Sequence, residues 1–176
     1  MDAAIPARTL AHRDRPRAIP ILAASAAICL GAAAVGSLAT RPEIEGWYRS
    51  IEKPWFNPPD WIFGPVWTVL FIVMAGVLWQ IWRTPVVTAV EIAARRRALT
   101  AFAVQLVLNV GWSVVFFGLN SIAGGMVVVV LLWLAILWTI VAARPVIGEA
   151  AWWLAPYVGW VFFAGILNAA ILSLNG

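Results

Sequence analysis

Residues 47–67 read WYRSIEKPWFNPPDWIFGPVW, with four tryptophans and four prolines in a segment that begins as a loop and ends inside an apolar run. Lys53-Pro54 and Asn57-Pro58-Pro59 cannot continue a helix, and a residue before proline is pushed towards extended geometry, so the segment is expected to descend as a stiff ribbon. Asp60 is then placed to cap a following helix with its side chain, with Trp61 in the first turn and Pro65 close behind, where a missing N–H is tolerated. Such a ribbon loses little entropy on holding one shape. It presents Trp47, Tyr48, Trp55 and Phe56 as a fixed lid.

The chain around this segment is that of a membrane protein: 63% of its 176 residues are hydrophobic and 11% charged, and the mean hydropathy is +0.90. Twelve tryptophans and thirteen glycines agree, because Trp favours membrane interfaces and Gly permits close helix packing in lipid. Five apolar runs meet the ~20 residues that a helix needs to cross the hydrocarbon core. They cover residues 19–40, 61–82, 99–119, 125–143 and 152–174. The expected fold is an all-α membrane protein, a five-transmembrane-helix bundle over residues 19–176 behind a basic tail, residues 1–18. The first run is longer than the apolar core of a cleaved signal peptide and is read as a span.

Charge sets the orientation, because short loops rich in Lys and Arg stay in the cytoplasm. Nine basic residues (Arg8, Arg13, Arg15, Arg17, Arg83, Arg95, Arg96, Arg97 and Arg144) fall on one side and three (Arg41, Arg49 and Lys53) on the other. The N-terminus is therefore expected in the cytoplasm, in a bacterial cell membrane of the inner type, with the Trp-rich loop outside. This clustering in short flanks accounts for the net charge of +4 without a nucleic-acid partner.

Within the spans, the small residues Ala23, Ala27 and Gly31 recur every four positions, a stripe expected to pack inside the bundle, with a dimer face as the alternative. Polar residues in the spans are more informative, since an amide in hydrocarbon is costly without a partner. Gln105 and Asn109 share a face with Trp112 and Phe116; Trp160, Ala164 and Asn168 repeat the four-residue interval; Trp67, Phe71 and Met74 form a third stripe. Asn109 lies ~15 Å from the inner end of its span and Trp67 ~9 Å below the outer boundary. Facing inward, the three stripes would line a mostly apolar pocket with a few polar groups, open towards the Trp-rich loop.

No acidic residue lies deep in a span, which argues against a proton-coupled pump. The sole histidine, His12, is in the tail, so no bundle histidine can hold a haem; Cys29, the one cysteine, reads as a packed thiol. Neither a phosphate-binding glycine loop nor a hydrolase motif is present, and no repeat of broken helices points to a rocking transporter.

The segment WYRSIEKPWFNPPDWIFGPVWTVLF resembles the signature of the TspO/MBR family, the tryptophan-rich sensory proteins related to the mitochondrial translocator protein or peripheral-type benzodiazepine receptor. QLVLNVGWSVVFFGLNS and APYVGWVFFAGILNAAILSLN extend the resemblance from about Pro20 to Gly176. It implies a five-helix bundle, commonly a homodimer in the lipid bilayer, that binds porphyrins such as protoporphyrin IX and other amphipathic small molecules, with no obligatory cofactor. The family's pocket motifs fall on Trp55, Trp67, Phe71, Asn109, Trp112, Trp160, Ala164, Leu167 and Asn168. Position 71 is usually tyrosine in the family and is Phe here. The cholesterol-recognition pattern of animal members needs a basic residue after Tyr157, and none follows Arg144, so cholesterol binding is expected to be weak or absent.

The leading reading is a porphyrin-binding membrane sensor that regulates tetrapyrrole levels or a stress response. A macrocycle would stack on Trp55, Trp67 and Trp160, an amide of Asn109 or Asn168 would meet a polar edge, and Arg49 and Lys53 would lie near its carboxylates. The alternatives are a porphyrin or amphipath transporter and a light- and oxygen-dependent porphyrin-degrading protein. The last would rest on the excited ligand and nearby tryptophans, since the pocket offers no acid–base pair.

Overall fold

The computed structural model describes residues 15–176. The basic tail, with Arg8, His12 and Arg13, lies outside the described residues as far as residue 14, and the chain is already helical from Arg15. In chain order the elements are α1 (Arg15–Glu45), a short α2 (Trp47–Ser50), α3 (Asp60–Arg83), α4 (Ala89–Ser113) prolonged by a π turn at Val114–Gly118, α5 (Ile122–Ile147), a 3-10 turn at Gly148–Leu154, and α6 (Ala155–Asn175). Among the described residues, four continuous stretches are long and apolar enough to cross a membrane: Ala18–Glu45, Asp60–Arg83, Ala89–Gly118 and Ile122–Asn175. The last runs for 54 residues because the 3-10 turn joins α5 to α6 without an interruption.

Local chemistry explains the boundaries. Thr88 accepts from the Glu91 N–H at 3.2 Å while the Glu91 carboxylate accepts from Thr88 N–H at 2.9 Å, a reciprocal cap that starts α4 ten residues before the apolar run at Leu99. Asp60 does not cap α3 as expected. Pro59 holds the cap position in extended geometry, and Asp60 is the first helical residue, where its charge complements the helix N-terminus. At the other end of α4, Asn120 turns the chain with φ 52° and Ser121 caps α5 through Gly124 N–H. Gly148, at φ 58°, ends α5.

α4 packs along α5, α5 along α6, and α1 along α3. The main core fills the inner part of the bundle with Met74, Ile81, Phe102, Ile136, Leu154 and Tyr157. A second core gathers Tyr48, Phe116, Phe117, Leu167 and Ile171 under the Trp-rich loop. Trp79 Nε1 donates to the Ala18 carbonyl at 3.1 Å and ties α3 to the start of α1.

The small-residue stripe on α1 departs from expectation. Ala23, Ala27 and Gly31 are exposed, and the buried face carries Ser25, Cys29 and Gly36. Two residues of offset, about 200° of helix rotation, separate the two faces. Close approach occurs instead at Gly36, where a Cβ would lie 3.2 Å from Ser113 Oγ, and at Gly125, where it would lie 2.7 Å from Phe116 Cδ2 and 2.9 Å from Asn168 Oδ1.

These contacts separate two substitutions of the same chemistry. Gly125→Ala should destabilise by about 1–3 kcal/mol, because Phe116 and Asn168 must both give way. Gly31→Ala, with nothing within 4 Å of its Cβ, should be neutral or gain up to about 1 kcal/mol of helix propensity. Thermal unfolding in detergent distinguishes them; equal melting temperatures would contradict the packing.

Candidate functional site

A cavity of about 530 Å³ lies in the half of the bundle nearest the Trp-rich loop, walled by α1, α3, the end of α4 with its π turn, and α6. The α1 wall is formed by Leu30, Ala33, Ala34, Gly36, Ser37, Thr40, Arg41 and Ile44, one side of the helix. Its open side lies between α1 and α3, where Ala34, Gly64 and Thr68 line the cavity and are exposed.

Trp67 is the central side chain. Its ring lies 6.0 Å from Phe71 on its own helix, 6.4 Å from Trp112 on α4 and 6.2 Å from Tyr157 on α6. Trp112 stacks on Phe116 at 5.5 Å and 22°, and Phe116 meets Phe117 edge-on at 4.9 Å. A regular α-helix would turn Phe117 about 100° from Phe116. The wider π turn gives both rings a place in the wall. Asn109 Nδ2 donates to the Tyr157 hydroxyl at 2.8 Å, and Asn168 Nδ2 donates to the Ile122 carbonyl at 2.9 Å. Among the described residues, Asn168 Oδ1 and the indole N–H of Trp112 have no hydrogen-bond partner.

Seven residues expected at the site line this cavity: Trp67, Phe71, Asn109, Trp112, Ala164, Leu167 and Asn168. Tyr48 of the lid joins them, and its hydroxyl donates to Asn57 Oδ1 at 2.9 Å. Burial, reinforced by the nearby Asp60 carboxylate, pushes the Tyr48 phenol up to about 12, so it remains a hydrogen-bond donor at neutral pH. Trp47 packs edge-on against Phe116, and Lys53 lies over the Tyr48 ring at 4.8 Å while donating to the Ile51 carbonyl. Phe56 rests on Phe163.

Two residues expected at the site lie elsewhere. Trp55 is 95% exposed and touches Phe56 edge-on. Trp160 packs between Phe63 and Phe163 and borders a shallow outer groove with Pro65 and Gly159. Gln105 is buried inward of Asn109 without lining the cavity, and neither of its amide atoms has a partner among the described residues. The sequence reading missed the whole α1 wall, together with Asp60 and Phe117. The α1 face was legible as Ala33, Ser37, Thr40 and Ile44, a helical repeat mixing small and hydroxyl side chains.

A bundle of helices long and apolar enough to cross a membrane, enclosing an aromatic-lined cavity, defines a class of integral membrane protein. The TspO/MBR family model matches residues 25–174, and the chain belongs to that family. It is 40% identical over 158 residues to the "Tryptophan-rich protein TspO" of Chlorobaculum tepidum, covering 88% of this chain and 95% of that one. The protein of the same name from Archaeoglobus fulgidus is 38% identical over 154 residues, covering 88% and 96%. The "Translocator protein" of Bos taurus is 34% identical over 134 residues, covering 76% and 78%.

The Asn109–Tyr157 bond is open to direct measurement. Asn109→Leu and Tyr157→Phe should each lower stability, and a double-mutant cycle should return a coupling of about 0.5–1.5 kcal/mol. Strict additivity of the two losses would show that the bond contributes nothing.

Proposed function

We infer that the protein is a membrane receptor for flat amphipathic ligands of the porphyrin type and that it acts as a sensor regulating tetrapyrrole levels. The observation that carries this reading is the aromatic wall of Trp67, Trp112 and Phe116, which borders the cavity beside the neutral amides of Asn109 and Asn168. A planar macrocycle gains dispersion and quadrupole contact from such a wall without needing a charged group deep in the membrane. Phe71 adds a face and no hydrogen-bond donor. In this reading the 54-residue helical stretch crosses the bilayer twice, as α5 and α6, giving five crossings in all. The N-terminus lies, in this reading, on the cytoplasmic side of a bacterial cell membrane, as the arginine bias favours, and two copies associate as a homodimer. No cofactor is required. Cholesterol is not a high-affinity ligand.

Protoporphyrin IX titrated into purified protein should quench tryptophan fluorescence saturably at low micromolar levels. Trp67→Ala should weaken binding about tenfold or more, the loss of a large aromatic contact, while the helical content stays unchanged. Linear quenching matched by detergent alone, or an unchanged affinity in the folded variant, would remove the reading. Reconstituted liposomes separate sensing from translocation, the property in the bovine relative's name. Saturable binding without net flux is the outcome expected.

A further inference from the structure

Among the described residues lining the cavity, two carry charge, Arg41 on α1 and Asp60 at the start of α3. Among the described residues the one ion pair is Arg144 with Glu149, and neither Arg41 nor Asp60 makes a side-chain hydrogen bond. The cations expected beside a ligand's carboxylates are placed otherwise. Lys53 is engaged by the Ile51 carbonyl and the Tyr48 ring, and Arg49 is exposed and outside the wall.

Position gives the two charges opposite tasks. Arg41 stands one helical turn beyond Ser37 on the α1 face of the cavity, about 10 Å along the axis from Ala34. Asp60 stands on the α3 wall, about 10 Å along that axis from Trp67. A flat ligand lying on Trp67 therefore brings one edge to a rim that is cationic on one wall and anionic on the other. Each charge also suits its helix end, the cation near the C-terminus of α1 and the anion in the first turn of α3. A structural role of that kind does not distinguish one ligand from another.

We propose that Arg41 is the acid-recognising residue of this cavity, binding a ligand's carboxylate through its guanidinium fork, and that Asp60 turns acidic groups away from the α3 side. The assignment rests on the porphyrin-type reading above and narrows it to ligands whose anionic edge faces α1. A guanidinium matches a carboxylate with two parallel N–H donors, whereas a neutral ester offers no charge to it. At an exposed rim, water and salt screen the pair, so it contributes selectivity more than affinity.

The test compares protoporphyrin IX with its dimethyl ester by fluorescence quenching, at low and high salt, in the wild type and in Arg41→Gln, Arg41→Lys and Asp60→Asn. Arg41→Gln should weaken the diacid by about three- to tenfold and leave the ester nearly unmoved, and it should flatten the diacid's salt dependence. Arg41→Lys should restore part of the loss, and Asp60→Asn should tighten the diacid. If Arg41→Gln shifts both ligands equally or neither, while the wild type binds both saturably, the Arg41 assignment falls and the receptor reading stands. If the wild type binds neither saturably, both fall.

Discussion

The contact of Trp67 with side chains from two other helices is the interaction on which the cavity depends. Its indole meets Trp112 on α4 and Tyr157 on α6 at just over 6 Å. Large rings here act as spacers: they satisfy the packing of the inner bundle while holding the backbones apart above them. A bundle of alanine and leucine at these positions would collapse the space, because helices in lipid associate through close van der Waals fit. Tyr157 is fixed in turn by the Asn109 amide, so the floor of the cavity is set by a hydrogen bond as well as by ring contacts.

The outer wall is held by a different device. The π turn at Val114–Gly118 places Phe116 and Phe117 together, and Gly125 gives Phe116 and Asn168 the room that a Cβ would take. Asn168 Oδ1 lies 2.9 Å from where a Cβ on this glycine would sit. The loop above is pinned at both ends, by Tyr48 to Asn57 and by the Asn175 side chain, which exchanges two hydrogen bonds with the Glu52 backbone at 2.9 Å. The prolines make that loop cheap to order, and these bonds tie it to the end of α6.

Much of this was legible because apolar runs and aromatic spacing are direct consequences of a lipid environment. Trp67, Asn109, Trp112 and Asn168 could be brought to one cavity from helical periodicity alone. Trp160 could not. At four-residue spacing a stripe drifts about 40° per step, so eight residues carry Trp160 about 80° from Asn168, out of the cavity wall and between Phe63 and Phe163. Trp55 sits between prolines in a loop, where no periodicity fixes a side chain's direction. The early start of α4 follows from a polar cap that hydropathy does not register, and the α1 wall was overlooked because its small and hydroxyl residues make no strong apolar pattern.

Filling the cavity from the wall opposite α1 tests the central claim most directly. Ala164 lies on α6, buried at the cavity surface, and a phenyl ring there would occupy cavity space. The measurement is protoporphyrin IX affinity in Ala164→Phe beside Trp160→Leu, each with its thermal unfolding recorded. The account predicts that Ala164→Phe stays folded and loses saturable binding while Trp160→Leu keeps it. Wild-type affinity in Ala164→Phe, with binding lost in Trp160→Leu, would put the ligand in the outer groove and contradict it.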